Sequence, residues 1–283
     1  GAFSGWEKLG TVVIDTSVDR LNRAFLAGLP SNIKAEFRGP GSFTFVGGEY
    51  TIDERTLSAG GYLVDEQGNL SRGGELGDGV YWALQDGVLR IYGQGKTPDY
   101  TSSNYRNVPW YSFLDEITSV VVEEGVTGIG DHIFYNSALS KFTLPDSLET
   151  IGESAFAQCG SIKELDLPEG LESIGEYAFQ LCTGLTDIQI PEGLTALPRG
   201  VFYGCSELSE AKLPETLTSI GQKAFYDCSG LKEIRLPNNV SSIGDEAFSQ
   251  CDSLESVTLP EALGIISTSM FEECEALKEI TIP

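Results

Sequence analysis

Residues 213–235 read LPETLTSIGQKAFYDCSGLKEIR, and the same 23-residue pattern recurs on both sides of this stretch. All six cysteines of the chain keep the spacing: Cys159, Cys182, Cys205, Cys228, Cys251 and Cys274. The phenylalanines three residues before them and seven prolines keep it too. Self-similarity at a fixed short period is typical of solenoids, in which each unit stacks on its neighbours and shares a core with them. We therefore expect about seven units over residues 122–283.

The pattern within a unit predicts its local structure. At its end, Ile234 and Leu236 alternate with polar residues and Pro237 follows directly. Alternation is the period of a half-buried strand, and proline ends a strand because it lacks a backbone donor. Residues 243–251 predict one helical turn after a glycine bend. The sequence therefore predicts an α/β solenoid with one short parallel strand and a compact return arm per 23-residue repeat.

The cysteine column predicts buried free thiols. Cysteines in neighbouring coils would lie within disulfide range, but their side chains would run parallel rather than face each other. The chain has no Cys-x-x-Cys pair and a single histidine, so the usual spacing of a zinc site is missing. We expect no metal and no cofactor.

The chain divides into three predicted parts. Residues 1–75 do not share the repeat and predict a small α+β accessory domain, with a strand at Thr11–Asp15 and a short helix over 19–28. Residues 76–121 predict a β-rich cap, because 81–92 alternates around Asp86-Gly87, a strong hairpin signal. Residues 122–283 form the repeat array.

The composition limits the partners. The 283 residues carry 42 Asp plus Glu against 18 Lys plus Arg, a net charge of −24. Nucleic-acid and anionic-lipid binding depend on Lys and Arg, so neither is expected. The chain has no run of 18 apolar residues and no leader peptide, so we expect no direct membrane insertion and, if the protein is exported, a leader that has been removed.

The sequence offers little material for catalysis. His132 follows Asp131, but no serine or cysteine can be assigned to them, and a solvated histidine is the simpler interpretation. A hydrolase using acid pairs in residues 1–75 is the remaining enzymatic alternative. We predict no catalytic residues and no enzyme activity.

The repeat, seen nearly whole in 213–235, resembles the BspA-like leucine-rich repeats of bacterial surface proteins. Residues 81–93, with Pro109-Trp110-Tyr111, are similar to the tryptophan-containing segment often found before such arrays. The resemblance implies a right-handed leucine-rich-repeat array. It also implies a secreted or surface-anchored bacterial protein that binds other macromolecules, in some members host matrix proteins, and it implies no catalysis.

The outward positions of the predicted strands are the candidate binding site. They are mainly charged: Lys163, Glu164, Asp187, Glu210, Lys212, Lys232, Glu233, Arg235, Lys278 and Glu279. Solenoids dock partners on extended sheet faces, so one interpretation is adhesion to a protein or glycoconjugate. The alternatives are a solvated face, and a structural spacer that projects another domain. Because the chain stops at Ile282-Pro283, directly after a strand, we also expect this edge to be covered by further repeats or by self-association.

Overall fold

The computed structural model describes residues 70–283 without a gap, and before them the backbone of six strands. These are β1 (Thr11–Asp15), β2 (Arg20–Leu21), β3 (Ile33–Arg38), β4 (Gly41–Phe45), β5 (Gly48–Ile52) and β6 (Tyr62–Val64). The predicted strand over Thr11–Asp15 is confirmed. Where the sequence predicted the start of a helix, Arg20–Leu21 forms β2. The remainder of that predicted helix lies outside the described residues.

An antiparallel hairpin links this part to the array. It consists of β8 (Val80–Gln85) and β9 (Val88–Gly93), preceded by β7 (Leu70–Gly77). Asp86 and Gly87 form the turn with φ of 50° and 77°, as a type I′ turn requires, so the predicted hairpin is confirmed. The division of the chain at residues 75 and 121 stays a prediction.

The repeats contribute two columns of short strands. The first column contains β11 (Ser119–Val122), β13 (Phe142–Thr143), β16 (Asp187–Gln189), β18 (Glu210–Lys212), β20 (Glu233–Arg235), β22 (Ser256–Thr258) and β23 (Glu279–Thr281). The second column contains β10 (Gly95–Lys96), β12 (Val126–Ile129), β14 (Thr150–Ile151), β15 (Ser173–Ile174), β17 (Ala196–Leu197), β19 (Ser219–Ile220) and β21 (Ser242–Ile243). Paired strands within each column are parallel. The parallel solenoid with 23-residue repeats is confirmed, and the second column is an addition that the sequence did not predict.

The N-terminal sheet runs directly into the first column. β9 pairs in parallel with β11, with Leu89 opposite Val120, and one eight-stranded sheet extends from β1 to β13. Trp110 is buried beside Trp82, with ring centroids 6.0 Å apart, and stacks on Phe134 at the same separation. The two tryptophans therefore close the first coil of the array with large apolar rings.

Between the second strand and the cysteine, each repeat forms turns instead of the predicted helical turn. In one repeat, Lys223 and Asp227 have φ of 57° and 56°. Left-handed residues at both ends interrupt a right-handed helix. The N–H groups of Lys223, Phe225 and Asp227 donate to carbonyls of the next repeat at 3.0, 2.8 and 2.9 Å. The arm therefore stacks coil on coil, as the strands do.

The core is a column of identical side chains. From Phe134 to Phe271, six successive phenylalanine pairs have centroids 5.3–5.7 Å apart and interplanar angles of 7–25°. The phenylalanines that keep the 23-residue spacing therefore form a stacked aromatic column. Each fully buried ring contributes roughly 1.5–3 kcal/mol to folding.

The cysteines form a second column and are free thiols, as predicted. Each sulfur lies near the phenylalanine carbonyl of the preceding repeat; Cys228 Sγ, for example, is 3.2 Å from the Phe202 oxygen. A cysteine in this slot fills the core and also donates a weak hydrogen bond to a buried carbonyl.

Candidate functional site

The first-column strands present a row of polar side chains, here called the strand face. In β18, Ala211 points into the core with 7% exposure, while Glu210 and Lys212 on either side are exposed. β16, β20 and β22 have the same pattern. Alternation places one side chain of each strand in the core and its two neighbours on the surface.

Two adjoining hollows run along the strand face. The first has a volume of about 300 Å³ and the second about 800 Å³, and they share Glu210 and Lys212. Six of the predicted binding residues line them: Glu164, Asp187, Glu210, Lys212, Glu233 and Arg235. These six come from four successive repeats, so they extend over roughly 15 Å at the usual strand spacing of about 4.8 Å.

The other four predicted residues lie outside the hollows. Lys163, Lys232, Lys278 and Glu279 are all exposed. Lys278 forms an ion pair with Glu255 of the preceding repeat at 3.2 Å, and Glu279 lies in β23. Lys163, Lys232 and Lys278 lie one position before the outward row that lines the hollows, whereas Glu279 is in that row but belongs to the last repeat.

The hollows also include residues that the sequence analysis did not select. Gln189 and Thr258 occupy the same outward row as Lys212 and Arg235. Glu215 lies in the turn after a proline and reaches Arg235, with an oxygen-to-nitrogen distance of 2.7 Å. Taking every second residue of each strand would have found the first two. The ion pair depends on the arrangement of two repeats and has no local signal.

The charge on the strand face is mainly negative and only partly compensated. In strand register, Asp187 lies opposite Glu210 on the next coil. Glu210 pairs with Lys212 at 3.4 Å, but Asp187 and Glu233 form no ion pair within the described residues. Like charges on directly opposed strands repel, and the exposed ion pairs contribute at most about 1 kcal/mol each. The carboxylates of Asp187 and Glu233 on the strand face can therefore accept cationic groups of a partner.

The five buried thiols, Cys159, Cys182, Cys205, Cys228 and Cys251, do not provide a reactive site. Burial raises the pKa of Cys159 to about 11 and that of Cys205 to about 12, because a buried thiolate loses its hydration. Within residues 70–283 and the six earlier strands, no cluster of His, Cys, Asp or Glu could hold a metal ion. No helix among these residues is both long and apolar enough to span a bilayer.

Asp131 and His132 have structural surroundings. One Asp131 carboxylate oxygen accepts the Glu153 N–H at 2.8 Å. His132 is partly buried rather than solvated: its ring packs on Tyr135 at 5.3 Å, and its Nδ1 is buried without a hydrogen bond. The pair ties the first repeat to the next and offers no nucleophile.

Comparison with known proteins identifies the family of the repeat. A family model described as the BspA type leucine rich repeat region matches residues 106–210 and 195–283, in six copies. No curated protein matches the chain.

Several solved structures are similar to the chain. A leucine-rich repeat protein from Eubacterium ventriosum is 24% identical, with a TM-score of 0.48, covering 75% of this chain and 72% of that one. One from Bacteroides ovatus is 22% identical, with a TM-score of 0.48, covering 73% and 70%. A leucine rich cell surface protein from Faecalibacterium prausnitzii is 18% identical, with a TM-score of 0.35, covering 74% and 94%.

Proposed function

We propose that this chain, which belongs to the BspA-type leucine-rich repeat family, is a non-catalytic bacterial surface or secreted protein that binds another macromolecule through its strand face. Solenoids use extended sheet faces as docking surfaces, and the described residues offer no nucleophile, base and orienting group in one place. The function is adhesion, and the strand face is the adhesive surface.

The paired hollows are the observation that carries this proposal. They span the strands of five successive repeats, share Glu210 and Lys212, and are lined by exposed polar side chains on either side of each strand's buried central residue. A rigid surface loses little conformational entropy when a partner binds. A long, shallow and polar surface fits a macromolecule better than it fits a small apolar ligand, whose sites are concave and mostly apolar.

The charge of the hollows specifies the partner. Asp187 and Glu233 carry uncompensated negative charge, and the whole chain has a net charge of −24. Complementary charge speeds association and excludes wrong partners. The partner is therefore a protein with a basic surface segment, whose Lys and Arg side chains enter the hollows beside these carboxylates.

Charge reversal on the strand face tests this proposal. The double variant Asp187→Lys, Glu233→Lys reverses two uncompensated charges and should abolish binding to basic proteins on a protein array. The control, Glu176→Lys with Glu272→Lys, makes the same charge change at exposed positions outside the hollows. Binding that survives in the first variant, or is lost equally in the control, would remove the strand face from consideration.

Deleting one repeat separates binding from the alternative role of a spacer. Removal of residues 213–235 takes out one complete repeat and leaves the register of the others intact, because a repeat in a solenoid contacts only the repeats next to it. A spacer would tolerate this loss. A shaped binding face would not, because residues 213–235 contain Glu215, Glu233 and Arg235 of the second hollow.

A further inference from the structure

A second surface with different chemistry lies where the loop before the array packs on the turns of the first repeat. Tyr105, in a 3-10 turn over Tyr105–Asn107, meets Tyr111 and Tyr135 edge to face, with centroids 6.1 and 4.9 Å away. The guanidinium of Arg106 lies over the rings of Tyr105 and Tyr111, at 5.5 and 6.0 Å. We call these four residues the tyrosine cluster. All three rings are partly exposed.

Hydrogen bonds hold the cluster in place. The hydroxyl oxygen of Tyr105 accepts from Arg106 Nε at 3.1 Å and from Asn136 Nδ2 at 3.3 Å. The hydroxyl oxygen of Tyr135 accepts from Gln158 Nε2 at 2.7 Å. Because both oxygens are acceptors in these contacts, each hydroxyl keeps its own proton to donate to a ligand.

Arg106 differs from most arginines of the described region in lacking a carboxylate partner. Arg72, Arg90 and Arg235 pair with Glu116, Glu123 and Glu215. Arg106 is exposed and forms no ion pair within the described residues. Among the described residues, the one hydrogen bond that Arg106 donates runs from Nε to Tyr105. The two terminal amino groups therefore remain for a ligand, in the fork geometry that binds a carboxylate with two hydrogen bonds.

The loop that carries Arg106 has no carboxylate side chain of its own. Residues 100–114 read YTSSNYRNVPWYSFL and contain no Asp or Glu. Thr101, Ser102, Ser103 and Asn104 are exposed. Thr101 and Ser103 share a hydrogen bond between hydroxyl oxygens 2.8 Å apart. Tyrosine, serine and asparagine combine rigid aromatic area with adaptable hydrogen bonding.

We propose that the tyrosine cluster and residues 100–107 bind a sugar that carries a carboxylate, at the end of a glycan chain. The carboxylate pairs with Arg106, the C–H face of the pyranose ring packs on exposed tyrosine area, and its hydroxyls meet Tyr105, Asn136 and the loop. The ligand bears a single charge because a net charge of −24 repels a densely charged polymer. This site is separate from the strand face and does not depend on its function.

Ligand-observed NMR with 3′-sialyllactose and with a glucuronyl-glucose disaccharide tests the proposal and distinguishes a sialic acid from a uronic acid. The methyl ester of 3′-sialyllactose has the same rings without the charge, and lactose lacks the acidic sugar altogether. We expect at least one acidic sugar to bind, and the ester and lactose to bind roughly tenfold more weakly or not at all, since hydrogen bonds to charged groups are about twice as strong as neutral ones.

Three variants locate the site. Arg106→Gln, at an exposed position, should reduce affinity by roughly tenfold or more, and Arg106→Lys should be intermediate because it keeps the charge and loses the fork. The matched control is Arg199→Gln, since Arg199 lies over the Tyr177 ring at 5.6 Å in another repeat; it should bind like the wild type. No binding of either acidic sugar at millimolar concentration, equal binding of lactose, or unchanged binding by Arg106→Gln would overturn the proposal.

Discussion

Replacing one ring in the middle of the phenylalanine column should destabilise the protein far more than replacing one at its end. Phe202 is fully buried, with the rings of Phe179 and Phe225 at 5.6 and 5.4 Å. Buried Phe→Ala changes cost about 3–5 kcal/mol. Phe202 loses ring contacts on both sides, each worth about 0.5–1.5 kcal/mol, so we expect Phe202→Ala to lie near the upper end, at about 4–5 kcal/mol.

Phe271 is the matched control. It is partly buried and has one ring neighbour, Phe248, at 5.7 Å. Because Phe271 keeps part of its surface exposed and loses one ring contact instead of two, we expect Phe271→Ala to cost less, about 2 kcal/mol.

Urea unfolding followed by circular dichroism measures both variants, with the free energy of unfolding obtained by linear extrapolation. Phe202→Leu keeps most of the buried aliphatic area and loses the ring stacking, so it should fall between the wild type and Phe202→Ala. Equal losses for Phe202→Ala and Phe271→Ala, or a loss below about 1 kcal/mol for Phe202→Ala, would refute the view that the column is a continuous core.

Four further predictions concern the thiols, Gly244 and the acidic row of the strand face. At pH 8, Ellman's reagent should label Cys274, which is half-buried, and leave the other five buried cysteines unlabelled until the protein is unfolded; rapid labelling of all six would contradict the buried column. Burial raises the pKa of Cys205 to about 12, whereas an unfolded thiol has a pKa of ~8.5. Its contribution to stability is therefore complete below the pKa of the unfolded thiol and is lost as the pH rises towards the pKa of the folded one. Cys205→Val should weaken the fall in melting temperature between pH 9 and 11. Gly244→Ala should cost about 1–3 kcal/mol, because its Cβ would lie 2.3 Å from the Gln222 backbone nitrogen, whereas Gly264→Ala meets no atom within 4 Å and should be close to neutral in thermal unfolding. Asp187→Lys should raise stability by about 0.5 kcal/mol in low salt by removing repulsion with its neighbours, and the gain should disappear in 1 M NaCl; a gain independent of salt would mean that repulsion is not its cause.

The period of the sequence was sufficient to predict the solenoid and its inner columns. Phenylalanine and cysteine recur at one slot per repeat, and identical slots in stacked coils must meet. The sequence contains no comparable pattern that predicts the second column of strands. A two-residue strand such as Ser219–Ile220 has one inward residue and no alternation to detect. The helical turn was predicted wrongly because a short apolar run such as 243–251 fits a turn equally well. The left-handed conformation of Lys223 accompanies hydrogen bonds to the next repeat, which the sequence of one repeat does not show.

The binding surfaces were predictable only in part. Strand alternation located Glu210, Lys212 and Arg235 on the outside, and the hollows contain all three. The pairing of Arg235 with Glu215 could not be predicted, since it depends on how two repeats are offset. The tyrosine cluster was also missed, because Tyr105 and Tyr135 belong to different segments and come together only when the loop over 100–107 packs on the first repeat.

The central claim is that a partner binds on the strand face, and one measurement tests it most directly. Residues 1–283 and the variant Asp187→Lys, Glu233→Lys would be applied side by side to an array of matrix proteins and mucin-type glycans, in physiological and in high salt. We predict saturable binding of the unmodified chain to a basic protein, weakened by high salt and absent in the variant. Binding of both chains with equal affinity, or no binding to any protein by the folded chain, would contradict the account.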